Sequence, residues 1–94
     1  MNGPTIVIVD PNWQVRERLR RVYERRGYVA WTCPGPEMAL PLLETVLPDL
    51  ALIDLEEESA EAQVIVASCL TLSPDTQIVF RHRPAKPQTP NKAA

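Results

Sequence analysis

The chain has 94 residues, 45% of them hydrophobic and 23% charged, which is the make-up of one small globular domain. A net charge of −2 is too slight to draw it to nucleic acid or a membrane surface, and no apolar run approaches the roughly 20 residues of a spanning helix. The opening MNGPTIVIVD lacks the basic start and long apolar stretch of a secretory signal, so a cytoplasmic protein is expected.

Thr5–Val9, TIVIV, is a β-branched run between Gly3-Pro4 and Asp10-Pro11, and reads as a strand buried on both faces. Asp10 is placed to cap the next helix, with Pro11 in its first position. From Trp13 to Arg26 the apolar residues Trp13, Val15, Leu19, Val22 and Tyr23 recur near helical spacing, and Gly27 stops the helix. YVAWT, 28–32, is a second strand, and PGPE, 34–37, a loop. Glu37–Leu47 reads as a helix with Met38, Leu40, Leu43 and Leu47 on its inner side and Pro41 in its first turns. Pro48-Asp49 is a turn, and LALID, 50–54, a third buried strand. Ser59 caps a third helix that runs to Leu72 through Ala62, Val64, Ile65, Ala67 and Cys69. After the turn Ser73-Pro74-Asp75, QIVFR, 77–81, is a fourth strand. The remaining residues from His82 to Ala94 include Pro84, Pro87 and Pro90 and read as an extended tail. The domain is therefore expected over 1–83 and a Pro-rich flexible segment over 84–94. Cys33 and Cys69 read as buried, reduced thiols, with a disulfide between them as the alternative, and the single His82 builds no zinc site with them.

The order β-α-β-α-β-α-β predicts an α/β fold with a parallel sheet, right-handed crossovers and helices on both faces. In such sheets the functional crevice lies beyond the carboxyl ends of the strands, where strand order reverses. With the order 2-1-3-4, Asp10 and Asp54 face each other there.

Three stretches carry a family resemblance: IVIVDPNWQVRERLRRVYERRGY, GPEMALPLLETVLPDLALIDL and SPDTQIVF. In order and spacing they resemble the opening strand, acidic turn and first helix, the second helix and acceptor strand, and the fourth strand of the receiver domain of bacterial two-component response regulators. The resemblance covers roughly residues 5–82. It implies a flavodoxin-like three-layer α/β/α sandwich that lacks the family's usual fifth strand and fifth helix. It puts Asp54 at the phosphoacceptor position, where a carboxylate attacks a phosphoryl group with Mg²⁺ screening the charge. If magnesium binds, Asp10, Asp54 and the backbone carbonyl of Glu56 stand at ligand positions. The sequence departs from the family in three places. Pro11, which cannot ligate a cation, stands where the second acid of the turn belongs. His82, or Arg81 if the register slips by one, stands where the family has Thr or Ser against the phosphoryl group. Lys86, in AKP, imitates the family's Lys-Pro ending without the strand that would position it. The resemblance with these departures implies a signalling module that is not an enzyme, carries no cofactor and works by protein–protein interaction without normal Mg-dependent phosphorylation. The alternative is a phosphorelay acceptor modified on Asp54.

Glu56, Glu57 and Glu58 crowd the rim next to Asp54 and oppose an incoming dianion. They read as built-in negative charge, as a solvated run favouring the next helix's N-terminus, or, for Glu56, as a side-chain substitute for the missing ligand. Arg16, Arg20 and Arg21 in the first helix read as a docking surface for a histidine kinase or downstream regulator, or as a solvated face supported by pairs such as Glu17–Arg21. An uncovered fourth strand and the bare face beside the first helix predict a homodimer or an obligate partner. A nucleotide-binding enzyme on the same fold is the rival class, but Gly3, Gly27 and Gly35 are too scattered for a phosphate loop.

Overall fold

The computed structural model describes residues 3–81. The elements are β1 (Thr5–Val9), α1 (Trp13–Arg25), β2 (Val29–Cys33), α2 (Pro36–Val46), β3 (Leu50–Ile53), α3 (Ala60–Leu72) and β4 (Gln77–Phe80). All four strands pair in parallel, in the order β2-β1-β3-β4. The expected element order, sheet direction and strand order all hold. The tail from His82 to Ala94, with His82, Lys86 and the 84–94 segment, lies outside the described residues.

β1 is central, and its alternation feeds two cores. Val7 and Val9 join Cys33, Ala51 and Ile53 beneath α2 and α3, which contribute Ala39, Leu43, Ile65 and Cys69. Ile6 and Ile8 join Leu52 on the opposite face, covered by Leu19 and Tyr23 of α1. Successive residues of a strand point to opposite faces, so a continuous aliphatic run fits only a strand covered on both. Each such side chain contributes about 1.5–3 kcal/mol by leaving water.

α1 begins two residues later than an Asp10 cap would place it. Asn12, not Asp10, is the N-cap, its side chain accepting from the N–H groups of Gln14 and Val15. Asp10 is drawn off by two other partners, described below. At the far end Gly27 adopts φ +94° and donates to the Glu24 carbonyl, closing the helix as expected. Leu19 and Tyr23 touch the sheet, whereas Trp13 is 63% exposed and is no part of the core.

α2 is shifted by a residue at each end from the expected 37–47. Pro36 occupies its first turn after Gly35. Its buried residues are Ala39 and Leu43, one turn apart, with Leu40 half-buried beside them. Met38 and Leu47, expected inward, are exposed, because the 39/43 pair rotates their side of the helix to solvent. Leu47 instead ends the helix in a left-handed conformation, φ 50° and ψ 62°. α3 starts from the expected Ser59 cap, whose hydroxyl accepts from Ala62 N–H, and buries Ala62, Ile65 and Cys69 at helical spacing.

Both cysteines are free and buried in the α2–α3 core. At the amino end of the sheet, Asp49 ties β3 to β1, accepting from Thr5 N–H at 2.8 Å. Asp49 N–H in turn donates to the Thr5 carbonyl at 3.0 Å, in step with the Ile6–Leu50 pairing that follows. α1 packs on β1 and β2, leaving Val79 of β4 exposed on that side, while Ile78 and Phe80 pack beneath α3. Among the described residues β2 and β4 are the sheet edges.

Candidate functional site

Three charged residues leave the carboxyl ends of adjacent strands in step. Val9 pairs with Ile53, and Ile53 with Phe80, so Asp10, Asp54 and Arg81 each stand one residue beyond a matched row. The backbone continues the ladder past the strands: Asp54 N–H donates to Val9 at 2.9 Å, and Arg81 N–H to Ile53 at 2.9 Å. Asp10 N–H reaches Cys33 on the other side. Parallel pairing of short strands therefore brings residues 10, 54 and 81 to one end of the sheet, as expected for the two aspartates. The residue in register at the end of β4 is Arg81, which stands level with Asp54, while His82 lies outside the described residues.

Asp10 is only 1% exposed. A buried carboxylate needs compensation for the water it gives up. One oxygen, Oδ1, accepts from Asn12 N–H at 2.9 Å, and the other, Oδ2, lies 3.3 Å from the Arg81 guanidinium. That Asn12 bond is an Asx turn, which is why Asp10 does not cap α1. Arg16 adds a second guanidinium by donating from Nη1 to the Asp10 backbone carbonyl at 2.7 Å.

Asp54 is half-buried, and its carboxylate takes part in no hydrogen bond or ion pair among the described residues. The Glu56 backbone carbonyl accepts from Ser59 N–H at 3.0 Å, forming the turn into α3. Glu57 and Glu58 are exposed, and the Glu57 carbonyl accepts from Gln63 Nε2 at 2.8 Å. A magnesium ion asks for an octahedron of oxygens. Here both oxygens of Asp10 are engaged, Pro11 offers no side-chain donor, and the Glu56 carbonyl is committed to a turn. Among the described residues no group of three His, Cys, Asp or Glu is placed to hold a metal ion. With Asn12 and Arg81 holding the two oxygens of Asp10, the donor set Asp10, Asp54 and Glu56 leaves no pair of free carboxylates for a divalent cation.

The arginines of α1 divide into two kinds. Arg16 is held by the acidic turn, and Arg20 clamps both Glu17 and Glu24. The Arg20 hydrogen bond holds the Glu17 carboxyl below its usual range, and the two carboxylates push Arg20 up. The expected Glu17–Arg21 pair is replaced by Glu17–Arg20, three residues apart rather than four. Arg18, Arg21 and Arg25 form no ion pair among the described residues and line an open groove of about 440 Å³ with Trp13, Gln14, Glu17 and Val22. Of the three arginines expected to dock a partner, Arg21 alone lies on this groove.

Two features escaped the sequence. The Asp10–Arg81 pair joins residues 71 apart, and its only linear signal is a basic residue directly after the fourth strand. The Asn12 cap carried the usual residue-type signal but was hidden behind the more prominent Asp10-Pro11. Among the described residues no helix is long and apolar enough to cross a membrane. The chain matches no protein-family model and no curated protein sequence.

Proposed function

We propose that this chain is a receiver-like signalling module of flavodoxin-like fold that acts in the cytoplasm through protein–protein contacts, without Mg-dependent phosphorylation of Asp54. The observation that carries the reading is the pairing of Asp10 with Arg81 beside Asp54, at the carboxyl ends of neighbouring parallel strands. The placement supports a receiver-like layout, since this is where strand order reverses. The ion pair supports the loss of metal chemistry, since a protein cation already faces the buried acid. Partner contact is assigned to the outer stripe of α1, where Arg18, Arg21 and Arg25 flank Trp13, a mixture of residue types favoured at interfaces. The β4 edge and the exposed Val79 beside it support a second contact, with another copy of the chain or with a regulator or kinase.

The test is incubation with acetyl phosphate and magnesium, followed by intact mass. The expected result is an unmodified chain. A phosphoryl adduct that disappears in Asp54→Asn overturns the reading in favour of a working phosphoacceptor. One observation favours that second reading: the Asp54 carboxylate, unlike that of Asp10, is not engaged by any described residue.

A further inference from the structure

We propose that Arg81 is a tethered counter-ion, which takes the position of a divalent cation at the acidic end of the sheet and latches β4 to β1 across β3. The strand order is the first argument. β3 lies between β1 and β4, and neighbouring strands are spaced about 4.8 Å apart, so the Arg81 side chain crosses roughly 10 Å of sheet to meet Asp10. In doing so it passes over the end of β3, which carries Asp54. Burial is the second argument. Asp10 is 1% exposed while the Arg81 side chain is 32% exposed. The acid is fixed in the interior and the cation comes to it from the rim.

Charge accounting is the third argument. Two carboxylates, Asp10 and Asp54, end adjacent strands, and two guanidinium groups, Arg81 and Arg16, meet the Asp10 residue at its carboxylate and its carbonyl. Arginine stays protonated at any accessible pH, and its planar fork suits a carboxylate. A metal reaching Asp10 must displace Arg81 and then sit beside the displaced charge. A tethered cation also cannot be diluted or chelated away, so the acidic end holds one state whatever the metal supply. The ion pair stands by itself, whereas the metal position assigned to it rests on the receiver-like reading; because the test uses no phosphoryl donor, failure of the latch is distinguishable from failure of that reading.

The test is thermal unfolding of the full chain, of Arg81→Gln, of Asp10→Asn and of the double variant, each with and without excess magnesium chloride. The wild-type midpoint is expected to ignore magnesium. Arg81→Gln, which strands a buried carboxylate, is expected to lower the midpoint by roughly 8–30 °C and to regain part of the loss when magnesium takes the vacated place. The double variant is expected to recover most of the loss and to ignore magnesium. Should Arg81→Gln alone fail to fold, the double variant decides: a folded chain supports the latch, an unfolded one overturns it. A wild-type midpoint raised by magnesium overturns it. So does an Arg81→Gln midpoint equal to wild type, or one lowered yet indifferent to magnesium.

Discussion

Arg81, just beyond β4, places its guanidinium 3.3 Å from the carboxylate of Asp10, just beyond β1, with β3 and Asp54 between them. The two partners differ in burial, and so the two ways of breaking the pair differ in cost. Removing the cation leaves a charge in the interior. Removing the acid leaves a guanidinium that turns back to water. We therefore predict that Arg81→Gln destabilises by about 2–4 kcal/mol and Asp10→Asn by about 1–2 kcal/mol, below the full loss for a wholly buried pair because Arg81 is partly solvated. Urea unfolding of both variants checks the order; an equal or reversed ranking contradicts it.

Leu47 ends α2 at φ 50°, a conformation that costs a side chain with a Cβ about 1–2 kcal/mol. Its side chain is 52% exposed, so little packing is lost on replacing it. Leu47→Gly is expected to stabilise the chain by about 0.5–1 kcal/mol, after allowing for the extra freedom glycine gives the unfolded state. A lowered melting point by circular dichroism would show that Leu47 packs more than its exposure indicates.

Asn12 satisfies two N–H groups at the start of α1. Asn12→Ala should cost about 1 kcal/mol, or roughly 4–8 °C in a domain this small. Asn12→Asp should retain most of that stability, because a carboxylate caps as well. Differential scanning calorimetry of the two variants separates the cap from any other role of the position.

Burial pushes both cysteine thiols above the ordinary value of 9.0. For Cys33 a backbone hydrogen bond with Gly35 and the charge of Arg16 offset this only in part. Below about pH 9 both folded and unfolded chains keep these protons, and the thiols add no pH dependence. Above it the unfolded chain releases them first, so stability falls as pH rises toward the raised folded values. Two outcomes follow: a thiol reagent at pH 8 labels the native chain far more slowly than the denatured one, and unfolding free energy declines as pH rises above about 9. Rapid native labelling of both cysteines would contradict their burial.

The sheet was legible in the sequence because its strands are short, β-branched and spaced by helical periods. TIVIV could be buried on both faces or nowhere, and LALID followed the same logic. That Asp10 and Asp54 end neighbouring strands side by side followed from strand order alone. Helix faces were less legible. In α2, apolar residues at 38, 39, 40, 42 and 43 leave several stripes open, and it is the packing of Ala39 and Leu43 beneath β1 and β3 that selects one. The role of Arg81 was the least legible, since a residue at a strand end declares its partner only after the register is fixed. Had QIVFR paired with β3 one residue later, His82 would stand level with Asp54 in its place.

The most direct measurement of the central claim is an amide NMR titration of the full chain with magnesium and then beryllofluoride. An acidic end that carries its own cation predicts that the amides of Asp10, Asp54 and Arg81 stay where they are through both additions. Saturable shifts at those three amides with magnesium, followed by slow-exchange changes on adding beryllofluoride, would contradict it and identify a working metal-dependent acceptor.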